Sequence, residues 1–142
     1  MSQGSQISRQ ACSCGPAPQD CLDDDTIVTQ LSNKDGSFRK APRSGMERGT
    51  SVVIGSVELS AAFAQVTKRL PTEDDLRCNR IRAAKVGDLR TAGFAVVHTP
   101  GKKILDNPHA SVVWPAANPL RFQEIPWSEN VSLRFDACFN EV

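Results

Sequence analysis

The stretch Ser56–Pro71, SVELSAAFAQVTKRLP, carries the clearest helical signal in the chain and decides the fold class. Its apolar residues recur at helical spacing and form one stripe, made of Leu59, Ala62, Phe63, Val66 and Leu70. Ser56 can cap the helix N-terminus, and Pro71 cannot continue a helix. The pattern therefore predicts a helix over Val57–Leu70.

A second helical stretch is predicted to start at Thr72, which can cap it and is followed by three carboxylates that suit the positive end of the helix dipole. Its apolar stripe is weak near Asn79, where we expect a break. Gly93 stands where a left-handed residue would end the second part. The basic residues of Arg77–Arg90 are expected to form a solvated helix face.

Short apolar or alternating runs on both sides of this helical region predict strands. They cover Thr26–Leu31, Thr50–Ile54, Phe94–His98, Ala110–Trp114 and Val131–Phe139. The helices are grouped between the strands and do not alternate with every strand. This order favours the α+β class, with a small mixed or antiparallel sheet and two helices packed on one face.

The length of 142 residues, of which 39% are hydrophobic, suits one compact domain. Residues 1–25 are rich in Ser, Gln, Gly and Pro and end in three consecutive aspartates. A segment with so little apolar surface cannot offset the entropy of ordering. We therefore expect a flexible, cysteine-containing tail at 1–25 and a single α+β domain at 26–142.

Three of the five cysteines lie close together in the tail, at Cys12, Cys14 and Cys21. Thiolates at this spacing could bind zinc if another part of the chain supplied a fourth ligand. The simpler interpretation is three free thiols and no cofactor, because the paired C-x2-C signature of zinc sites is absent. The odd cysteine count and the lack of a secretory pattern in Met1–Gln10 indicate a cytoplasmic protein.

The only two histidines, His98 and His109, stand at the two ends of one predicted loop that also contains Lys102 and Lys103. If the flanking strands pair antiparallel, both imidazoles lie at the same end of the sheet. Two adjacent imidazoles could act as acid and base on a phosphate ester whose charge the lysines bind. The alternative is that each histidine is a structural residue at a strand end.

The chain carries 17 Lys+Arg against 16 Asp+Glu, a net charge of +1, and nucleic-acid binders usually show a clear basic excess. The basic stretch Arg77–Arg90 also lacks interleaved aromatic residues for base stacking. Nucleic acid is therefore a weaker candidate partner than another protein. No apolar run reaches membrane-spanning length, so no membrane partner is expected.

The run Gly93–His98, GFAVVH, followed by His109–Pro115, HASVVWP, resembles a pattern in small bacterial proteins that read H-A-x-V-x-W-P. The resemblance extends to an F-R-x-A segment at Phe38–Ala41 and a T-S-V strand at Thr50–Val52. It covers about Thr26 to Pro115. It implies a bacterial, cytoplasmic, single-domain protein and places His109 in the shared pattern, but it implies no activity.

Near-neutral charge and few catalytic side chains favour a small cytoplasmic bacterial protein that binds another protein or serves as an accessory subunit. An exposed, alternating last strand could pair with a partner strand. Two alternatives stay open. One is a small hydrolase or nuclease that acts on phosphate esters through His98 and His109. The other is a zinc-stabilised domain.

Overall fold

The computed structural model describes residues 22–40, 50–98, 108–114 and 127–142. Within these ranges the elements follow one another as β1 (Ile27–Leu31), β2 (Thr50–Ile54), α1 (Leu59–Thr67), α2 (Glu73–Cys78), β3 (Ile81–Lys85), α3 (Val86–Thr91), β4 (Ala95–His98), β5 (His109–Val113), α4 (Glu129–Ala137) and β6 (Asn140–Glu141).

The six described strands form one sheet in the order β4-β5-β2-β1-β3-β6. Every neighbouring pair is antiparallel. The predicted α+β class is confirmed, and of the two predicted sheet types the described strands form the antiparallel one.

One face of the sheet carries the main core, which α3 and α4 help to close. Its centre is aromatic: the rings of Phe94, Trp127 and Phe135 lie with centroids 5.2–5.7 Å apart. Val28 of β1 belongs to this core, so its neighbour Thr29 points to the opposite face. There the Thr29 hydroxyl donates to the carbonyl of Gly55 over 2.7 Å, which holds the chain that leads into α1.

The strands predicted at Thr26–Leu31, Thr50–Ile54, Phe94–His98 and Ala110–Trp114 are present as β1, β2, β4 and β5. The helix predicted over Val57–Leu70 is also confirmed, but it is shorter. It begins after Glu58, not after a Ser56 cap, and ends where Lys68 takes the left-handed conformation, φ 65°. Leu70 therefore leaves the apolar stripe of the helix.

The prediction of a strand at Val131–Phe139 is wrong, because these residues belong mainly to α4. The Ser128 hydroxyl caps this helix by accepting the backbone N–H of Val131 over 3.3 Å. Val131 and Phe135, one helical turn apart, are both buried in the main core. An alternating sequence also places apolar residues four positions apart, which puts them on one face of a helix. The Ser128 cap and the burial of Val131 and Phe135 stabilise the helix over the strand.

The second predicted helical stretch is interrupted by a strand that the sequence pattern did not predict. Its first part is α2, which ends at Cys78 near the expected break, and its last part is α3, after which Gly93 has the expected positive φ of 103°. Between them, β3 pairs with β1 along its whole length. The long-range pairing overrides the helical propensity of the Ala, Arg and Lys residues in this segment.

The basic residues of this stretch do not form a solvated helix face. Four of its arginines make ion pairs with carboxylates instead: Arg77 with Asp74, Arg80 with Glu141, Arg82 with Asp136, and Arg90 with Asp24. Arg90 also donates to the carbonyl of Leu22. Leu22, which we assigned to the tail, is buried in the main core, while residues 1–21 lie outside the described ranges.

Candidate functional site

The two predicted catalytic histidines lie at the same end of the sheet but on opposite faces. The register places His98 opposite Ala110, and directly opposed residues share a face. Ala110 and His109 are consecutive in β5, so their side chains point to opposite faces. His98 is buried on the main-core face, and His109 is half-buried beside Val53 on the other. The two rings therefore do not face each other across the β4–β5 pair.

The other predicted site residues, Lys102, Lys103, Cys12, Cys14 and Cys21, lie outside the described ranges. In the ranges that the structure describes, no group of three His, Cys, Asp or Glu side chains is arranged to hold a metal ion.

Exposed apolar side chains identify a different candidate surface. The described chain exposes five large ones, and three of them lie between residues 66 and 76: Val66 at 43%, Leu70 at 81% and Leu76 at 40%, against Leu133 at 57% and Val142 at 85% elsewhere. We name α1, α2 and the residues 68–72 between them the α1–α2 corner. Leu70, at the bend of this corner, is almost fully open to solvent.

A clamp built on Arg69 fixes the bend on both sides of Leu70. The guanidinium lies 4.8 Å from the centroid of the Phe63 ring in α1. It also donates to both oxygens of the Asp75 carboxylate in α2, over 2.8 Å and 3.4 Å. One side chain therefore ties α1 to α2, and such bidentate pairs impose a defined geometry.

Asp75 also closes the capping box of α2. Its carboxylate accepts the Thr72 backbone N–H over 2.9 Å, and the Thr72 hydroxyl accepts the Asp75 backbone N–H over 3.1 Å. Hydrogen bonds from Arg69 and then from Thr72 hold the pKa of the Asp75 carboxyl well below its ordinary value. The carboxylate is therefore ionised at neutral pH, and the α1–α2 corner presents Leu70 on a preformed bend.

A buried arginine on the main-core face is a second feature that the sequence did not predict. The Arg82 guanidinium lies 4.4 Å from the ring centroids of both Phe38 and Phe139. It donates to Gln30 Oε1 over 2.8 Å and to Asp136 over 2.9 Å. Burial lowers the pKa of this arginine, and the Asp136 hydrogen bond opposes that shift. These contacts attach α4 and the following Phe139 to the sheet, so Arg82 has a structural role.

Comparisons with protein-family models, with curated proteins and with solved structures found no match for this chain. The resemblance to bacterial proteins with the H-A-x-V-x-W-P pattern therefore stays a prediction. Within the described residues, no helix is long and apolar enough to cross a membrane.

Proposed function

We propose that this chain is a protein-binding or accessory subunit that docks its partner through the α1–α2 corner, with Leu70 at the centre of the contact. The observation that carries the proposal is the exposure of Leu70, at 81%, on a bend fixed by the Arg69–Asp75 pair. A large apolar side chain that is open to solvent gains no burial energy in the isolated chain, and contiguous exposed apolar patches mark protein-interaction sites.

The energetics of the corner support a binding role. Full burial of a leucine side chain contributes about 1.5–3 kcal/mol. Flanking residues Val66 and Leu76 are also partly exposed and add apolar area. Because the bend is already fixed by the clamp, a partner would not have to order it, and preorganisation of this kind raises affinity.

The charges of the corner favour a partner surface that is apolar and close to neutral. Three cationic side chains, Lys68, Arg69 and Arg77, stand against three carboxylates, Glu73, Asp74 and Asp75. Two ion pairs, Arg69–Asp75 and Arg77–Asp74, already balance most of them within the corner. A strongly acidic or basic partner, including nucleic acid, would find no net charge to attract it.

We place this subunit in the bacterial cytoplasm, as the sequence pattern suggests. Both described cysteines, Cys78 and Cys138, are free thiols, which suits a reducing compartment. The alternative of a phosphate-ester hydrolase lacks comparable support, because its two histidines lie on opposite faces of the sheet.

The test is affinity purification of the full chain from its native host, followed by titration of the partner that co-purifies in stoichiometric amount. Leu70→Ser should weaken its binding roughly tenfold to a hundredfold, the equivalent of about 1.5–3 kcal/mol. Leu133→Ser, at an exposed leucine on α4, is the matched control and should bind as the unmodified chain does. Equal binding by both variants, or no stoichiometric partner, would contradict the proposal.

A further inference from the structure

A shallow, solvent-open cavity of about 460 Å³ lies between α3 and the C-terminal end of α4, away from the α1–α2 corner. It is lined by Asp88, Thr91, Ala92, Arg134, Ala137 and Cys138. This volume falls within the range of small-molecule sites, roughly 300–1,000 Å³. The cavity is independent of the proposed protein-binding surface.

Two opposite charges line this cavity, Asp88 from α3 and Arg134 from α4, and neither makes an ion pair within the part of the chain that the structure describes. This contrasts with the arginines of α2, β3 and the α1–α2 bend, each of which has a carboxylate partner. The Arg134 guanidinium lies 5.6 Å from the Trp114 ring centroid, so it packs on an aromatic surface.

The Cys138 thiol contacts the backbone of both charged residues. Its Sγ lies 3.6 Å from the carbonyl oxygen of Asp88 and 3.3 Å from that of Arg134. Burial, and then the Asp88 carboxylate, raise the pKa of this thiol, so it is neutral at pH 7. Together with Ala92 and Ala137 it adds small, uncharged side chains to the lining of the cavity.

We propose that this cavity binds a small zwitterion of the amino-acid class, with its ammonium group at Asp88 and its carboxylate at Arg134. A molecule with both charges pairs with both side chains at once. A simple amine or a simple carboxylate pairs with only one of them. The small side chains of Ala92, Ala137 and Cys138 in the lining leave room for the short carbon chain that joins the two charged groups of the ligand.

Each charge also suits the dipole of its own helix, because Asp88 lies in the first turn of α3 and Arg134 in the last turn of α4. A change in stability on substitution therefore does not separate a binding role from a structural one. The decisive readout has to be binding of the ligand itself.

The experiment is a titration of the ¹⁵N-labelled full chain with glycine, β-alanine and γ-aminobutyrate, followed by amide chemical shifts. We expect saturating shifts at Thr91, Ala92, Ala137 and Cys138 for at least one of these probes, with a dissociation constant on the order of tens of millimolar, as two exposed ion pairs allow. Equimolar methylammonium and acetate at the same ionic strength should not reproduce them. Absence of saturation, or equal shifts with the separate ions, overturns the proposal.

Substitutions then locate the ligand. Asp88→Asn and Arg134→Gln should each weaken binding roughly twofold to fivefold, the value of one exposed ion pair. Asp25→Asn and Lys34→Gln each remove one exposed charge that lies outside the cavity and outside the α1–α2 corner, and they should leave binding unchanged. Ala137→Trp, at an exposed position, should fill the cavity and abolish binding while the rest of the amide spectrum is preserved. Unaltered binding in Ala137→Trp also overturns the proposal.

Discussion

Replacing Arg82 with Met tests whether the buried guanidinium attaches α4 and Phe139 to the sheet. Its side chain is only 8% exposed, and it bonds Gln30 and Asp136. The substitution leaves Gln30 Oε1 as a buried acceptor with no donor, at a cost of about 1–3 kcal/mol. It also removes cation–π contacts with Phe38 and Phe139, worth about 1 kcal/mol each, part of which the methionine sulfur restores.

Breaking a buried ion pair typically lowers the free energy of unfolding by about 3–5 kcal/mol. Two observations indicate a smaller loss of stability here. Asp136 is not stranded, because Lys40 lies 3.1 Å from it and the carboxylate is partly exposed. The Arg82 Nη2 atom is buried without a hydrogen-bond partner, so the substitution also removes one unsatisfied donor. We expect the free energy of unfolding to fall by about 2–3 kcal/mol, or Tm by roughly 5–10 °C.

The assay is urea unfolding followed by tryptophan fluorescence, with the m-value as a check that the denatured state is unchanged. The double variant Arg82→Met/Gln30→Leu removes the stranded acceptor as well. It should therefore be about 1–2 kcal/mol more stable than Arg82→Met alone. A single variant within about 0.5 kcal/mol of the unmodified chain, or a double variant less stable than the single one, would refute the reasoning.

Three further outcomes follow from other positions. Gly93→Ala should lower the free energy of unfolding by about 2–4 kcal/mol, because φ at this position is +103° and the new Cβ would lie 2.6 Å from the Trp114 ring. Thermal unfolding of the variant measures this loss of stability. The pKa of Asp75 is lower in the folded chain than in the unfolded one, so this carboxylate stabilises the fold at neutral pH. That contribution should begin to disappear as the pH falls towards the ordinary Asp value of about 3.9, and Asp75→Asn should flatten the stability profile in this acid range. Iodoacetamide labelling followed by peptide mass spectrometry should modify the exposed Cys78 faster than Cys138, whose thiol pKa is raised by burial, and equal rates would contradict this.

Local sequence predicts an element well when its residues favour one type of secondary structure strongly and no other. The β-branched run Thr50–Ile54 gives β2 with the expected bounds. The segment Ile81–Lys85 lacks such a signal, and it becomes β3 only because β1 pairs with it. Arg82 could not be singled out for the same reason, since its partners Gln30 and Asp136 are 52 and 54 residues away along the chain.

The sequence did not reveal that Leu70 is exposed, because the predicted helix extends to Leu70 whereas α1 ends at Thr67. Leu70 continues the apolar stripe of α1 in sequence, which predicts burial. The left-handed Lys68 ends the helix first and turns Leu70 outwards. The faces of the two histidines could not be predicted for a related reason. The flanking strands do pair antiparallel, which was the condition of the hypothesis, but an offset of one residue in the register decides which face each side chain takes, and sequence periodicity does not supply the register.

The path of the chain through the sheet has a consequence for how the molecule reaches its native state. β3 and β4 are separated along the chain only by α3 and a short turn, yet β5, β2 and β1 lie between them in the sheet. Pairings such as Thr29 with Ala83 must therefore wait for long loops to close. Proteins dominated by distant pairings fold on the order of milliseconds to seconds, so a newly synthesised chain spends that interval with open strand edges that a chaperone would recognise.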